Sequence, residues 1–445
     1  MLVVRRRLII WLIKAYIKKS KKILLISFFS GLLVFFAILL GSKYVKNLFT
    51  LNRLPVVGIV GSYRKENLPP IVLSKLSRGL TKVNSDKSIS PDLATRYRIS
   101  EKDKTYTFYL NDNIKFSDGS KLISTDILYN FSDVVIDKPD KNTIIFKLKN
   151  PYSPFLTTVS KPLFKKGYSG AGDYFILNIK FNGDFVQEAT IGLRKNRFET
   201  IKYIFYPTED ALKTAFMLGE ITQAEGLSDS VFKDIAFEDF PKTKVEKKIS
   251  YSKLVALFYD TTDSTLSDRK IRLALSYAVP NTFNYGEKAY LPYSKNSLYY
   301  NTGIIERRKD VDHAKLLLPE SKINLTISTL KKYKKTANEI SESWEKIGIK
   351  TKIKEIDEIP DRFQIFLGDY SVPDDPDQYA LWHSKQINNI TKYKNLRIDK
   401  LLEDGRKTVN INERKKIYLD FQKYLLEDMP ATFLYFPYEY RVIRN

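Results

Sequence analysis

Residues 362–379 read RFQIFLGDYSVPDDPDQY, and the organisation of the second half of the chain turns on them. Phe363, Ile365 and Leu367 alternate with Gln364, Phe366 and Gly368, the period-two pattern of a short, largely buried strand. The pattern predicts that the strand stops at Gly368. Asp369 and Tyr370 follow, and Pro373, Asp374, Asp375, Pro376 and Asp377 make a turn-rich loop. In an open α/β sheet, ligands sit in the crevice outside the carboxyl ends of the strands. Asp369 therefore stands where a carboxylate could meet a ligand's positive group. The alternative is that Asp369 only caps the turn, as many Asp residues after strands do.

The segments on either side supply a sheet for this strand. Ile323, Leu325 and Ile327 alternate as one strand, and Ile349, Thr351 and Ile353 as another. Between them, Ala337, Ile340, Trp344 and Ile347 recur at helical spacing, with Gly348 as terminator. A strand–helix–strand order with short links implies parallel strands and a right-handed crossover. Upstream, Asp268 precedes a helical pattern of Ile271, Ala274, Leu275 and Ala278, stopped by Pro280. Downstream, Asn412 is positioned to cap a helix carrying Ile417, Phe421, Tyr424 and Leu425. Pro430 closes that helix, and residues 432–443 return as extended chain.

The first half has a different rhythm. Val56–Val60 reads as a strand, with Gly61 and Ser62 opening a loop. Leu73, Leu76 and Leu80 suggest a helix. Tyr106, Phe108 and Leu110 form one face of a strand, and Ile144, Phe146 and Leu148 one face of another. Ser124 or Thr125 could cap a short helix to Phe131. Residues 51 to about 250 thus read as strand-rich with tight turns.

Composition narrows the chemistry. The 445 residues suffice for two or three domains, and 43% hydrophobic residues can fill sizeable cores. There is no cysteine, so disulfides, thiolate nucleophiles and Cys-ligated metals are excluded. Only His313 and His383 are present, which argues against histidine metal sites or triads, and no metal site or cofactor is expected. His383 reads as a helix-surface residue. No GxSxG or HExxH motif and no SxxK set with its partners occurs, so no catalytic residue is assigned. The net charge of +23 includes ten Lys/Arg and no acid in the first fifty residues, which leaves +13 (23 less 10) spread over the rest as a solvated surface. No nucleic-acid motif accompanies it.

Residues 23–40, ILLISFFSGLLVFFAILL, carry no charge and are long enough for a membrane span. Basic residues gather before this run, which predicts an uncleaved single-pass anchor with a cytoplasmic N-terminus and an extracytoplasmic remainder. The patch from Leu8 to Tyr16 reads as an interfacial lead-in.

Taken in order, several segments resemble the family 5 extracellular solute-binding proteins, the peptide-, dipeptide- and nickel-binding receptors of ABC importers. The longest is PDLATRYRISEKDKTYTFYLNDNIKFSDGSKLISTDILYNF, residues 91–131. LSRGLTKVNSDKSISPDLA (76–94), NPYSPFL (150–156), GAGDYFI (170–176), FMLGEI (216–221), SDRKIRLALSYAV (267–279), WEKIGIKTKI (344–353) and DDPDQY (374–379) follow in the family's sequence order. The series spans nearly all of residues 51–445. The chain departs from the family in lacking its lipid-modified cysteine, in the short segment between Phe131 and Ile144, and in Thr222 where an aspartate is usual.

The resemblance implies an α/β, two-lobed periplasmic-binding-protein-like fold of type II, with a reduced extra subdomain, after the transmembrane helix. Its expected parts are an anchor segment at 1–50, lobe I at 51–254 with 431–445 returning to it, and lobe II at 255–430. The crossings are expected near 252–257 and at Pro430. The implied function is an extracytoplasmic receptor, not an enzyme, that delivers oligopeptides to ABC permease subunits. The alternative is a membrane-anchored surface sensor or adhesion module on the same fold. In peptide-binding members, the Asp ending this strand holds the ligand's α-amino group and the strand pairs with the peptide backbone. Carried to this chain, Asp369 meets the amino group and the strand of Ile365, Leu367 and Gly368 pairs with the peptide. Tyr370, Trp382, Ser62 and Tyr63 are expected to line the pocket.

Overall fold

The computed structural model describes residues 11, 14–49, 54–100 and 102–444, with the backbone alone for residues 24 and 37–49. The chain divides into two compact units, Met1–Pro55 and Val56–Asn445. The first contains the helix Lys21–Phe49. Its described apolar side chains are exposed, Ile23, Phe28, Leu33 and Phe35 among them. Among the described residues no helix is long and apolar enough to cross a membrane, so the expected anchor is not borne out there. The side chains of residues 37–40, which complete the charge-free run, lie outside those described, as does most of the lead-in patch.

The second unit is built on one 13-stranded sheet that runs through both lobes. Its continuity comes from the strand Ala431–Arg444, which changes partners partway along. Residues 431–435 pair antiparallel with Lys253–Tyr259, and residues 438–444 with Thr243–Ile249. The short strand Gly286–Lys288 pairs at 435–437, across the change. The change of partners therefore falls at residues 436–437, inside a continuous strand. The outgoing chain changes neighbours at residues 250–252, between the strands Thr243–Ile249 and Lys253–Tyr259.

In the lobe II part of the sheet, Asn324–Leu330 runs parallel to Lys350–Ile356, joined by the helix Lys334–Glu345. This is the crossover expected from the sequence. Ala337, Ile340 and Trp344 lie fully buried, and Gly348 adopts φ +82° where the helix ends. Asp268 caps the helix Arg269–Tyr277 by accepting from the Lys270 amide. The helix Ile411–Asp428 is capped by Asn410, not Asn412. Its capping oxygen accepts from the amides of Asn412 and Glu413, so the cap lies two residues earlier than the apolar spacing suggested.

In lobe I, Val56–Val60 lies parallel to Thr200–Tyr206 and Gln223–Leu227. A separate four-stranded sheet (Ala94–Ser100, Thr105–Leu110, Thr143–Leu148 and Val134–Asp140) carries its own core, with Tyr106, Phe108, Ile144 and Phe146 fully buried. The expected helix to Phe131 is only the 3₁₀ turn Ser124–Asp126, and the helix of Leu73 and Leu76 ends before Leu80. In both places burial of scattered apolar side chains by tertiary contacts mimics a helical spacing.

Candidate ligand site at the end of the 365–371 strand

The strand is Ile365–Ser371 and runs three residues past Gly368, because Asp369, Tyr370 and Ser371 continue the ladder. All seven residues pair antiparallel with Lys253–Tyr259. On the other edge, Asn324–Leu330 pairs only with residues 365–367. Ile365, Phe366 and Leu367 are buried and paired on both sides, so the 365–367 backbone has no edge to offer a ligand. That corrects the expectation that the strand before Asp369 would pair with a peptide. The Val372 amide donates to the Ser252 carbonyl. Main-chain groups alternate between edges in an antiparallel pair. Those of Asp369 and Ser371 therefore face the edge that Asn324–Leu330 leaves vacant. The free edge begins where the notional strand was expected to stop.

Gly368 is buried for a local reason. A Cβ there would meet the Phe366 ring at 2.4 Å, because Phe366 lies across its own face of the strand and stacks on Phe258. Tyr370, on the same face, packs edge-on against Phe258, and its buried hydroxyl lacks a hydrogen-bond partner. Trp382 is 1% exposed, donates its indole N–H to Gln378 and stacks on Phe258. Trp382, Ile365 and Leu367 thus hold the strand in place from within the lobe II cores rather than lining an open pocket.

Asp369 is not alone. Lys332 Nζ lies 2.7 Å from its Oδ1, and the Tyr333 phenol beside it also favours the charged carboxylate. Burial by itself would raise the Asp369 carboxyl. Lys332, Tyr333 and the charge of Lys253 outweigh it and hold the group below its ordinary value, so it is ionised. Burial and the adjacent carboxylate push the Tyr333 phenol well above its ordinary range. The sequence reading missed Lys332 and Tyr333. No local pattern points to them: they meet Asp369 because Asn324–Leu330 runs parallel to residues 365–367 and delivers the residues after its own carboxyl end to that edge.

The acidic loop is also more than a turn. Arg414 makes a two-pronged pair with Asp375, Nη1 to Oδ2 at 2.9 Å and Nη2 to Oδ1 at 2.5 Å, with both side chains nearly buried. Arg406 Nε lies 2.7 Å from Asp377. Burial raises the Asp377 carboxyl even with Arg406 beside it. The same loop reaches the separate four-stranded unit: Thr157 donates to Asp375, Lys87 pairs with Asp374, and the Ser153 amide donates to the Arg406 carbonyl.

Ser62 and Tyr63 lie in lobe I. Ser62 is exposed in the loop after Val56–Val60. Tyr63 packs edge-on against Phe205, and its hydroxyl donates to the Val60 carbonyl, so the ring folds back over Gly61. The loop lies at the carboxyl end of a parallel strand, the position where open α/β sheets bind ligands.

A sheet shared by two lobes in this way is the architecture of a solute-binding protein. The model of bacterial extracellular solute-binding proteins, family 5, matches residues 88–389, and the chain belongs to that family. Among curated proteins it is 24% identical to the oligopeptide-binding protein AppA of Bacillus subtilis, with 86% of each chain covered. It is 22% identical to the probable D,D-dipeptide-binding periplasmic protein DdpA of Escherichia coli, covering 80% of this chain and 81% of that one. Among solved structures it is similar to NikZ from Campylobacter jejuni in complex with Ni(L-His). There the TM-score is 0.70 at 20% identity, over 88% of this chain and 94% of the other.

Proposed function

We propose that this chain is an extracytoplasmic, non-enzymatic receptor that encloses an oligopeptide between its lobes and passes it to the permease of an ABC importer. One observation carries the choice of ligand: the unpaired edge at Asp369 and Ser371 lies directly beside an ionised carboxylate. An extended peptide can add to such an edge by main-chain hydrogen bonds, while Asp369 accepts a charge-assisted bond from its α-ammonium. Similarity to the oligopeptide-binding AppA supports the same reading. Ser62 and Tyr63 would approach from lobe I, and Tyr370 would back the free edge. The lobes we assign are 56–249 with 438–444, and 253–436, hinged at 250–252 and Pro437. The helix Lys21–Phe49, which contains the charge-free run 23–40, is proposed as the tether. The exposed apolar side chains from Ile23 to Phe36 favour a lipid environment over water.

The decisive test is a double-mutant cycle by titration calorimetry. Asp369→Asn should weaken a free-amino peptide by about 1.5–3 kcal/mol, the worth of a charged hydrogen bond. The same peptide acetylated at its N-terminus should lose much less. A coupling energy of zero within error would remove Asp369 from the site, and peptide would lose its main support.

A further inference from the structure

A second concave site lies within lobe II, away from the Asp369 edge. It has a volume of about 230 Å³ and sits where the helix Ile411–Asp428 gives way to the first residues of Ala431–Arg444. Neither Asp369, Tyr370, Lys332 nor Tyr333 lines it. Three cationic side chains do, Lys288, Arg307 and Lys423, against a single acid, Glu427.

The two inner cations lack carboxylate partners among the described residues. Lys288 donates to the Pro280 carbonyl at 3.3 Å and otherwise faces the rings of Phe283 and Tyr290, at 5.2 and 5.5 Å. Burial lowers its ammonium to about 8. Arg307 donates to the Ser276 hydroxyl at 3.2 Å and to the Met429 sulfur at 3.7 Å, and lies over the Tyr277 ring. Lys288 and Arg307 are part-buried, and a cation drawn partly out of water without an opposite charge is costly, so the two together at one cavity form a site that an anion would stabilise. Beside Ser276, Tyr290 and Thr432, the wall is apolar: Ile304, Ile305, Leu426, Met429 and Phe433. Inorganic phosphate would leave that wall unused. A carboxylate with a hydrocarbon tail satisfies both halves, in the usual pattern of an apolar pocket with a few convergent polar groups.

We propose that this cavity binds a small organic carboxylate bearing a short apolar tail, its head between Lys288 and Arg307 and its tail against Ile304 and Phe433. The test is calorimetry on the full chain in lipid nanodiscs with hexanoate, hexanamide and inorganic phosphate. Hexanoate should bind saturably and at least about tenfold more tightly than either control, about 1.4 kcal/mol. Lys288→Met and Arg307→Gln should each weaken it by a similar factor, while Asp369→Asn should leave it unchanged, separating this cavity from the peptide site. Equal binding of hexanamide or phosphate, no saturable binding of hexanoate, or loss of binding in Asp369→Asn would each overturn the proposal. Should either cavity variant fail to fold, the comparison of the three probes on the unaltered chain decides by itself.

Discussion

Lys332 reaches Asp369 from the turn after Asn324–Leu330, and its side chain stays 47% exposed while that of Asp369 is 15% exposed. A long, half-solvated lysine can swing away at small cost, so the pair is a resident cation in the place a ligand's ammonium would take. With its lysine half in water, such a pair is worth about 1 kcal/mol, and a ligand must first displace it. Lys332→Met should therefore tighten a free-amino peptide by up to about fivefold, with little change for the acetylated form. Calorimetry on the two peptides checks this. Unchanged or weaker binding of the free-amino peptide would mean that Lys332 contacts the ligand or stays paired throughout. Asp369 itself was legible in the sequence, because an acid after an alternating apolar run is a local pattern. Its partners were not, because Lys332 and Tyr333 are thirty-odd positions away and meet it only through parallel pairing of two strands.

At the scale of elements, the proposed hinge lies in the strand Ala431–Arg444. That strand belongs to lobe II up to Tyr435 and to lobe I from Tyr438, and Pro437 at the change cannot donate a ladder hydrogen bond. The other connection, residues 250–252, is equally short. Two short connections allow rotation of one lobe on the other, the usual response of a two-lobed protein to a ligand touching both. X-ray scattering of a soluble fragment beginning at Val56 should show a smaller radius of gyration with saturating peptide than without. An identical value in both states would count against closure. The sequence marked the strands on each side of the hinge by their alternation. It could not mark the hinge, since residues 432–443 are extended throughout and only the change of neighbours divides them. The acidic loop 374–377 illustrates the same limit. Its prolines announced a turn, but its pairing with Arg406 and Arg414 depends on how two helices pack.

At the scale of the whole molecule, the proposed tether would hold the receptor at the membrane with its N-terminus inside the cell. Protease added to intact cells should digest the chain after about residue 45 and leave the basic N-terminus protected. A mature protein beginning after Leu40 and free in the medium would show that the N-terminal helix is a cleaved leader. The charge asymmetry behind this prediction is a property of sequence alone, as are the α/β class, the crossover unit at 322–356, the family, and the presence of an acid near the end of the 365 strand. All of these rest on short-range periodicity, composition or the order of local motifs. Tertiary structure alone decided which strand edge is free, that Asp369 is met by Lys332, that Trp382 is core, and that the strand Ala431–Arg444 changes partners near Pro437. Each depends on pairing between segments far apart in the chain, and no local pattern records which edge of a strand its neighbours leave open.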